Sequence, residues 1–458
     1  MIRLAHRAAG ALLGVTLLAT LAACAPGAGA PTTTGAPAGS TGPAGVNTDI
    51  SGVGDVTLTV WDQEVRGGQN EQIEKLNAAF HEKHPNVTVN RVSQSFDDLA
   101  TTLRLALTGD EAPDVVQANN GRNTMGALVG AGQLLPLDEY AAAYGWNERF
   151  APSILKFSSY SPDAAVFGAG SLYGLPQMGE VVGVFYSKSK LAGIGAEVPK
   201  DWTEFEAALA KAKAAGETPL MLGNLDKWPA IHVFGPLQGA TVPADQITDL
   251  ALGNAGASWK TPENEAAAAT LQGWVEKGYF NDGVNGADYD AVWQKMTKGE
   301  GVFLIGGSWL AADMAAAMGD DLGFFVPANP AGRYATTGGT GVPFAVTTAS
   351  KQPDVAAAYL DFITSDDAMQ LLLETGNLPV NRTAELAASA TGAQRELLTE
   401  FGRVTAEGDV LPYLDYATPT FSETLGGALQ RLIDGQLTPA EFTDALEADY
   451  AAFSAENG

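Results

Sequence analysis

The run Val56-Thr57-Leu58-Thr59-Val60-Trp61, followed by Glu71-Gln72-Ile73-Glu74-Lys75-Leu76-Asn77-Ala78-Ala79-Phe80 and then Val87-Thr88-Val89-Asn90-Arg91-Val92, decides the fold class. The first and third segments alternate as strands do, and the second places Ile73, Leu76 and Phe80 on one helical face. That helix has to end before Pro85, because the residue ahead of a proline is pushed out of the α region. Asp97 to Leu107, with Leu99, Leu103 and Leu107 in register, predicts a second helix, and Pro113-Asp114-Val115-Val116-Gln117 a third strand. Strand, helix, strand, helix, strand at this spacing is a parallel α/β unit, whose binding edge lies at the carboxyl ends of the strands. Those ends carry Asp62-Gln63-Glu64, Ser93-Gln94-Ser95 and Asn119-Asn120-Gly121-Arg122. Each set offers directional donors and acceptors, and each alone reads equally well as a solvated loop. Their convergence on one rim makes Gln63, Glu64, Gln94, Asn119, Asn120 and Arg122 candidate ligand contacts.

Toward the carboxyl end, Ser171-Leu172-Tyr173-Gly174-Leu175-Pro176-Gln177-Met178-Gly179-Glu180 precedes the apolar run Val181-Val182-Gly183-Val184-Phe185-Tyr186-Ser187-Lys188. Proline and glycines ahead of a new strand predict a crossover into a second lobe. Met178 and Glu180 sit at that crossover. Trp202 to Ala215 is a predicted helix with Asp201 as its cap, and Pro219 to Gly223 a further strand leading to Trp228-Pro229-Ala230-Ile231-His232. Glu265 to Lys277 and Tyr289 to Lys298 are predicted helices. Gly301-Val302-Phe303-Leu304-Ile305-Gly306-Gly307-Ser308-Trp309-Leu310 then reads as a buried strand feeding a helix that continues to Met318. Taken alone, this stretch leaves Trp309 either as core or as a platform at a strand end. A Gly-rich loop and strand from Thr336 to Val346, containing the candidates Gly338 and Gly339, is followed by helices to the end of the chain. No internal repeat is present.

Toward the amino end the character changes. Arg3 and Arg7 precede the apolar run Ala8 to Thr20, a charged n-region and short h-region of the kind that heads a secretion signal and is too short for a membrane span. Leu21-Ala22-Ala23-Cys24 resembles the lipobox of bacterial lipoproteins, and Cys24 is the only cysteine in the chain, so no internal disulfide can form. Residues 1–23 are therefore expected to be a signal peptide, Cys24 the lipidated residue, and 24–53 a flexible Ala/Pro/Gly/Thr linker.

Acidic residues outnumber basic ones by 53 to 26 in 458, giving a formal charge of -27. Phosphate-rich partners need a basic footprint, so nucleic acid is not expected as a partner. The motifs HExxH, GxSxG and the Walker P-loop are absent from the sequence. Asn281-Asp282-Gly283-Val284-Asn285-Gly286 is similar to a calcium loop, but Val292 stands where a bidentate glutamate is needed, so no metal is expected. His81 and His84, three residues apart, fall on a surface helix; His232 remains as a possible hydrogen-bonding partner of a ligand. A secreted glycoside hydrolase would use two cleft carboxylates, for which Glu64, Glu180 and Asp415 are the available residues.

Several motifs line up in order: Val60-Trp61, Ala112-Pro113-Asp114-Val115-Val116, Tyr173-Gly174-Leu175-Pro176 with Phe185-Tyr186-Ser187-Lys188, Val198 to Phe205, Lys298-Gly299-Glu300-Gly301 through Trp309, and Ala356 to Ile363. The set resembles the extracellular solute-binding proteins of ABC sugar importers, the broad family with maltodextrin-, raffinose- and glycerol-phosphate-binding members. The resemblance implies a periplasmic-binding-protein-like α/β fold of two lobes joined by a hinge, with the ligand cleft between them. Lobe 1 is expected at 54–175, completed by about 336–380, and lobe 2 at 176–335, completed by about 381–458. The resemblance further implies that Trp309 stacks on a sugar ring and that Trp228 lies near the cleft, although Leu225-Asp226-Lys227 lacks the aromatic residues that maltodextrin binders carry there. Leu411-Pro412-Tyr413-Leu414-Asp415-Tyr416 is expected either as a cleft loop, contributing Tyr413, Asp415 and Tyr416, or as a packed surface turn. The expected partners are a neutral carbohydrate, the transmembrane subunits of an ABC permease, and the membrane through the lipid anchor alone; the expected state is a monomer without a cofactor and without catalytic activity. A peptide or a glycerol phosphodiester is the alternative solute.

Overall fold

The computed structural model describes residues 45–109 and 111–457. The expected signal peptide, Cys24 and most of the expected linker lie outside the described residues. The end of that linker is folded: Ile50–Gly52 forms a short turn in which Ile50 is buried, its carbonyl accepting a hydrogen bond from the Asn86 amide (3.1 Å).

The first sheet contains β1 (Val56–Asp62), β2 (Val87–Ser93) and β3 (Val115–Gln117), as the sequence predicts. Chain order continues with a two-stranded ribbon, β4 (Ser159–Tyr160) and β5 (Ser171–Leu172). Then come β6 (Gly179–Ser187), β7 (Leu220–Met221), β8 (Phe303–Gly307), β9 (Leu322–Phe325), β10 (Ala335–Thr340), β11 (Phe344–Val346) and β12 (Asp409–Leu411). The first sheet has the order β11-β3-β1-β2, with β1 parallel to both β2 and β3 and β11 antiparallel to β3. The second has the order β12-β10-β6-β8-β7, with β9 also paired to β6. These are the two α/β lobes that the family resemblance implied. Thr336 and Thr337 pair with β12 and Gly338 to Thr340 with β6, all in the second sheet, so the chain returns to the first at 341–343 and not at 336.

The second sheet is buried on both faces, which is why β6 and β8 read as continuous apolar runs. Along β6, Val182, Val184 and Tyr186 enter one apolar cluster while Val181 and Phe185 enter the other, as a strand period of two requires. Helix Trp202–Ala214 covers the first face with Phe205 and Leu209, its amino end capped by Asp201, which accepts from the Glu204 amide at 2.8 Å. Helices Tyr289–Thr297 and Ala311–Met318 cover the second face with Trp293, Met296 and Met314. Burying one such side chain contributes about 1.5–3 kcal/mol.

Three strands of chain pass between the lobes side by side. Leu175 bridges to Phe344, Met178 bridges to Pro379, and the Gly341 amide donates to the Met178 carbonyl at 2.9 Å. Among the described residues no helix is long and apolar enough to cross a membrane.

Candidate ligand cleft

The turn that follows β1 is held by a buried network. Asp62, fully buried, is paired with Arg91 through two hydrogen bonds (2.7 and 2.8 Å), and the Arg91 guanidinium also donates to the Glu64 carbonyl at 2.7 Å. The Gln63 amide donates to the Gln117 side chain (2.8 Å), and Gln117 in turn donates to Glu64 Oε1 (2.7 Å). These bonds turn Gln63 toward the space between the lobes and Glu64 away from it. Helix Phe96–Ala106, capped by Ser95 on the Asp98 amide (3.1 Å), buries Leu99 and Leu103 and presents Phe96, Asp97, Ala100 and Thr101 to the same space.

From the second lobe the cleft receives Glu180 at the start of β6, Thr340 at the end of β10, Trp309 just after β8 and the first turn of helix Pro229–Thr241. Proline suits the first helical position, where its missing N–H would have no partner. Ahead of it, Lys227 adopts the left-handed region (φ 69°), a conformation costly for a side chain other than glycine and concentrated at functional sites. This kink lets Asp226, Lys227 and Trp228, three consecutive residues, all line the cleft.

The resulting cavity has a volume of about 270 Å³. The Trp309 indole donates to the Tyr289 hydroxyl at 2.9 Å, and Trp228 stands 6.4 Å from Trp309 with the rings at 66°. His232 lies 4.9 Å from Trp309 and 5.5 Å from Tyr413, ring to ring. Gly307 makes room for this arrangement: a β-carbon there would fall 1.9 Å from the Trp309 ring. The backbone at Gly307 is extended (φ -90°), so close approach of the indole, and not a turn, is the reason for glycine there.

Charge in the cleft is one-sided. Arg66 is engaged by Asp290 (3.0 Å) and Lys227 by Glu423 (2.6 Å). Glu180 accepts from the Tyr413 hydroxyl at 2.6 Å, and its removal from water pushes its carboxyl up to about 8, the charge of Glu64 adding to the effect. Removal from water likewise pushes Asp415 up to about 6 and pulls His232 down to about 3, so that its imidazole is neutral. Burial and then the charge of Asp226 raise Asp97. Such a site offers flat apolar faces, carboxyl and amide acceptors, and few unengaged cations.

Of the residues chosen from sequence, Gln63, Asn119, Glu180, Trp228, His232, Trp309, Tyr413, Asp415 and Tyr416 come together in this cavity. The 411–416 segment is therefore both buried and cleft-lining. The others stand outside it. Glu64 lies behind Gln63 with no exposure. Gln94 accepts from the Thr102 hydroxyl (2.9 Å) on the flank of helix Phe96–Ala106. Asn120 is consumed internally, donating to the Phe157 carbonyl (2.7 Å) and accepting from Tyr416 (3.2 Å). Arg122 donates to the carbonyls of Ala164, Ala165 and Leu252 and stacks over Phe167 and Phe453. Met178 is buried behind Gln69. Gly338 and Gly339 pair with Val181 and Glu180, and a β-carbon on Gly338 would meet the Glu180 carbonyl oxygen at 2.5 Å; they seat Glu180 and do not line the cavity. Arg66, Gln69, Asp97, Thr101 and Asp226 were missed. For the helix residues the signal was available, since Asp97 and Thr101 fall on the face opposite Leu99 and Leu103.

Among the described residues no group of three or more His, Cys, Asp or Glu side chains is placed to hold a metal ion.

Comparison with known proteins places these features in context. The model of the family described as bacterial extracellular solute-binding protein matches residues 67–370. The chain is 27% identical over 379 residues to the maltodextrin-binding protein MdxE of Bacillus subtilis (strain 168), covering 80% of this chain and 81% of that one. It is 22% identical over 333 residues to the multiple sugar-binding protein of Streptococcus mutans, covering 71% and 75%. Among solved structures, a chitin oligosaccharide binding protein superposes with a TM-score of 0.74 at 23% identity, covering 88% of this chain and 99% of that chain.

Proposed function

The chain belongs to the bacterial extracellular solute-binding protein family, and from that premise we propose that it is the solute-capturing component of an ABC sugar importer. It takes a neutral saccharide, a disaccharide or short oligosaccharide, between its lobes, performs no chemistry on it, and delivers it to the permease. The observation that carries this reading is the cavity walled by Trp228, Trp309 and Tyr413 and edged by Gln63, Asn119, Glu180 and Asp415. A pyranose has C–H faces and a hydroxyl edge, so it needs flat aromatic surface together with polar groups of fixed direction. A volume of about 270 Å³ lies just below the range of about 300–1,000 Å³ typical of ligand pockets, which favours a short sugar over a long maltodextrin. The relatives' names, maltodextrin-binding and multiple sugar-binding, support the same class.

Titration calorimetry against neutral mono-, di- and trisaccharides, amino acids and peptides tests it: a short sugar is expected to bind, and binding of peptides or amino acids alone would overturn the reading. Release of cleaved sugar at catalytic rates would restore the hydrolase. We place the protein on the outer face of the cytoplasmic membrane, held by lipid on Cys24; the Cys24→Ala protein is expected to lose lipid labelling, and retained labelling contradicts the anchor.

A further inference from the structure

Tyr289 is the first residue of helix Tyr289–Thr297, and its side chain is buried behind the aromatic wall of the cleft. Its place is fixed twice over. Asp288 caps the helix by accepting from the Ala291 amide at 2.7 Å, which secures the first turn. Gly223, just beyond β7, lets that turn lie flush against the strand end: a β-carbon there would fall 2.5 Å from the Asp288 carbonyl oxygen and 3.0 Å from the Tyr289 α-carbon. The hydroxyl then reaches over Gly306, where a β-carbon would stand 3.4 Å from it.

Three groups meet on this one side chain. The Trp309 indole donates to its hydroxyl at 2.9 Å, and Trp228 packs against its ring at 4.6 Å between centres with the planes at 60°. From the first lobe, the Arg66 guanidinium lies over the same ring at 5.7 Å while bonding the neighbouring Asp290 at 3.0 Å. Trp228, Trp309 and Arg66 all line the cavity. Tyr289 stands behind them and joins them.

The constraints on Trp309 are of two kinds. Gly307 and His232, 4.9 Å away ring to ring, limit the indole by contact alone. Contact fixes the plane of a flat ring better than its direction, because the torsion that carries an aromatic ring is broad and roughly two-fold. The bond to Tyr289 supplies the direction. Turned over, the Trp309 N–H would lose its acceptor at a part-buried position, and an unpaired buried donor is costly.

We propose that Tyr289 is the positioning residue of the aromatic wall, fixing which edge Trp309 turns to the solute and setting Trp228 against it. This role rests on Trp309 being the sugar platform of the proposed function, and it belongs to a residue that touches no solute. A ring locked before binding costs less to order on binding, and it carries a seated pyranose to one orientation, in which the hydroxyls meet the polar groups opposite.

Tyr289→Phe removes the hydroxyl and keeps the ring against Trp228 and Arg66. In the ligand-free protein, the nuclear magnetic resonance of the Trp309 indole N–H, identified by its absence from Trp309→Phe, is expected to move upfield and exchange with solvent faster in Tyr289→Phe, with circular dichroism unchanged. Calorimetry with the mono-, di- and trisaccharides of the panel is expected to show a loss of about three- to tenfold in affinity. In a Trp309→Phe background the same change is expected to cost no further affinity, because the hydroxyl acts through the indole. A group that merely supports the fold would cost the same in both backgrounds. An unmoved resonance, an unchanged affinity, equal losses in the two backgrounds, or loss of the fold in Tyr289→Phe overturns the proposal. If no sugar of the panel binds the wild type, the proposed function falls, while the indole resonance still decides whether Tyr289 sets the ring.

Discussion

On the first-lobe side the cleft presents Gln63, Gln69, Asp97, Thr101 and Asn119, with Phe96 as the one large ring, whereas on the second-lobe side it presents Trp228, Trp309, Tyr413 and Tyr416. Amides and hydroxyls act only along defined directions and within hydrogen-bond reach. Aromatic faces act over a broad area and tolerate a range of positions. On the proposed function the two walls would have separate tasks, the second lobe seating a ring and the first reading its hydroxyls.

Mutations that break this division should separate by size. The largest loss is expected from Trp309→Ala or Trp228→Ala, about 1–3 kcal/mol of affinity by calorimetry, as for a desolvated aromatic anchor; full affinity in a folded Trp309→Ala protein would return the indole to a packing role. Gly307→Ala tests the same wall indirectly. Its added methyl must displace the Trp309 ring, with an expected cost of about 1–2 kcal/mol in thermal or denaturant stability and a parallel loss of affinity; unchanged values would show that the ring has another seat. On the polar wall Gln63→Ala is expected to cost about 1 kcal/mol of affinity, the worth of one hydrogen bond, and a loss as large as that of Trp309→Ala would erase the distinction between the walls. Smallest is Lys227→Ala, which removes an exposed pair with Glu423 and should change stability by less than about 1 kcal/mol; a large effect would mean that the left-handed backbone at 227, and not the ion pair, depends on that side chain.

The aromatic wall was more legible in the sequence than the polar one. Trp228, Trp309 and the Tyr413–Tyr416 pair were found because large rings beside strand ends and turns are few and chemically specific. Of the three strand ends named for the polar rim, two reach the cleft, and at each of those the choice took both neighbours where only one faces it. Gln63 and Asn119 face the cleft while their neighbours Glu64 and Asn120 are buried behind them. Consecutive residues at the end of a strand point opposite ways, and composition does not reveal which of two neighbours points inward. Arg122 was chosen for its charge, yet three backbone carbonyls from distant segments hold it away from the cavity; partners 42 to 130 residues away leave no local trace. The lobes themselves were readable, because the switch from strand-and-helix alternation to the proline and glycine crossover at 174–179 is a local signal. The assignment of β10 was not, since pairing with β6 is decided by residues 157 to 161 positions apart.

The folded turn at Ile50–Gly52 lies against the first lobe. Ile50 is buried there, its carbonyl accepts from Asn86 just ahead of β2, and the Asn47 amide approaches Asp354 at the start of helix Pro353–Ile363 (3.4 Å). The chain ahead of the fold is thus tied to the half that bears the polar wall, while the aromatic wall belongs to the half reached across the antiparallel passes of chain where Leu175 bridges Phe344 and Met178 bridges Pro379.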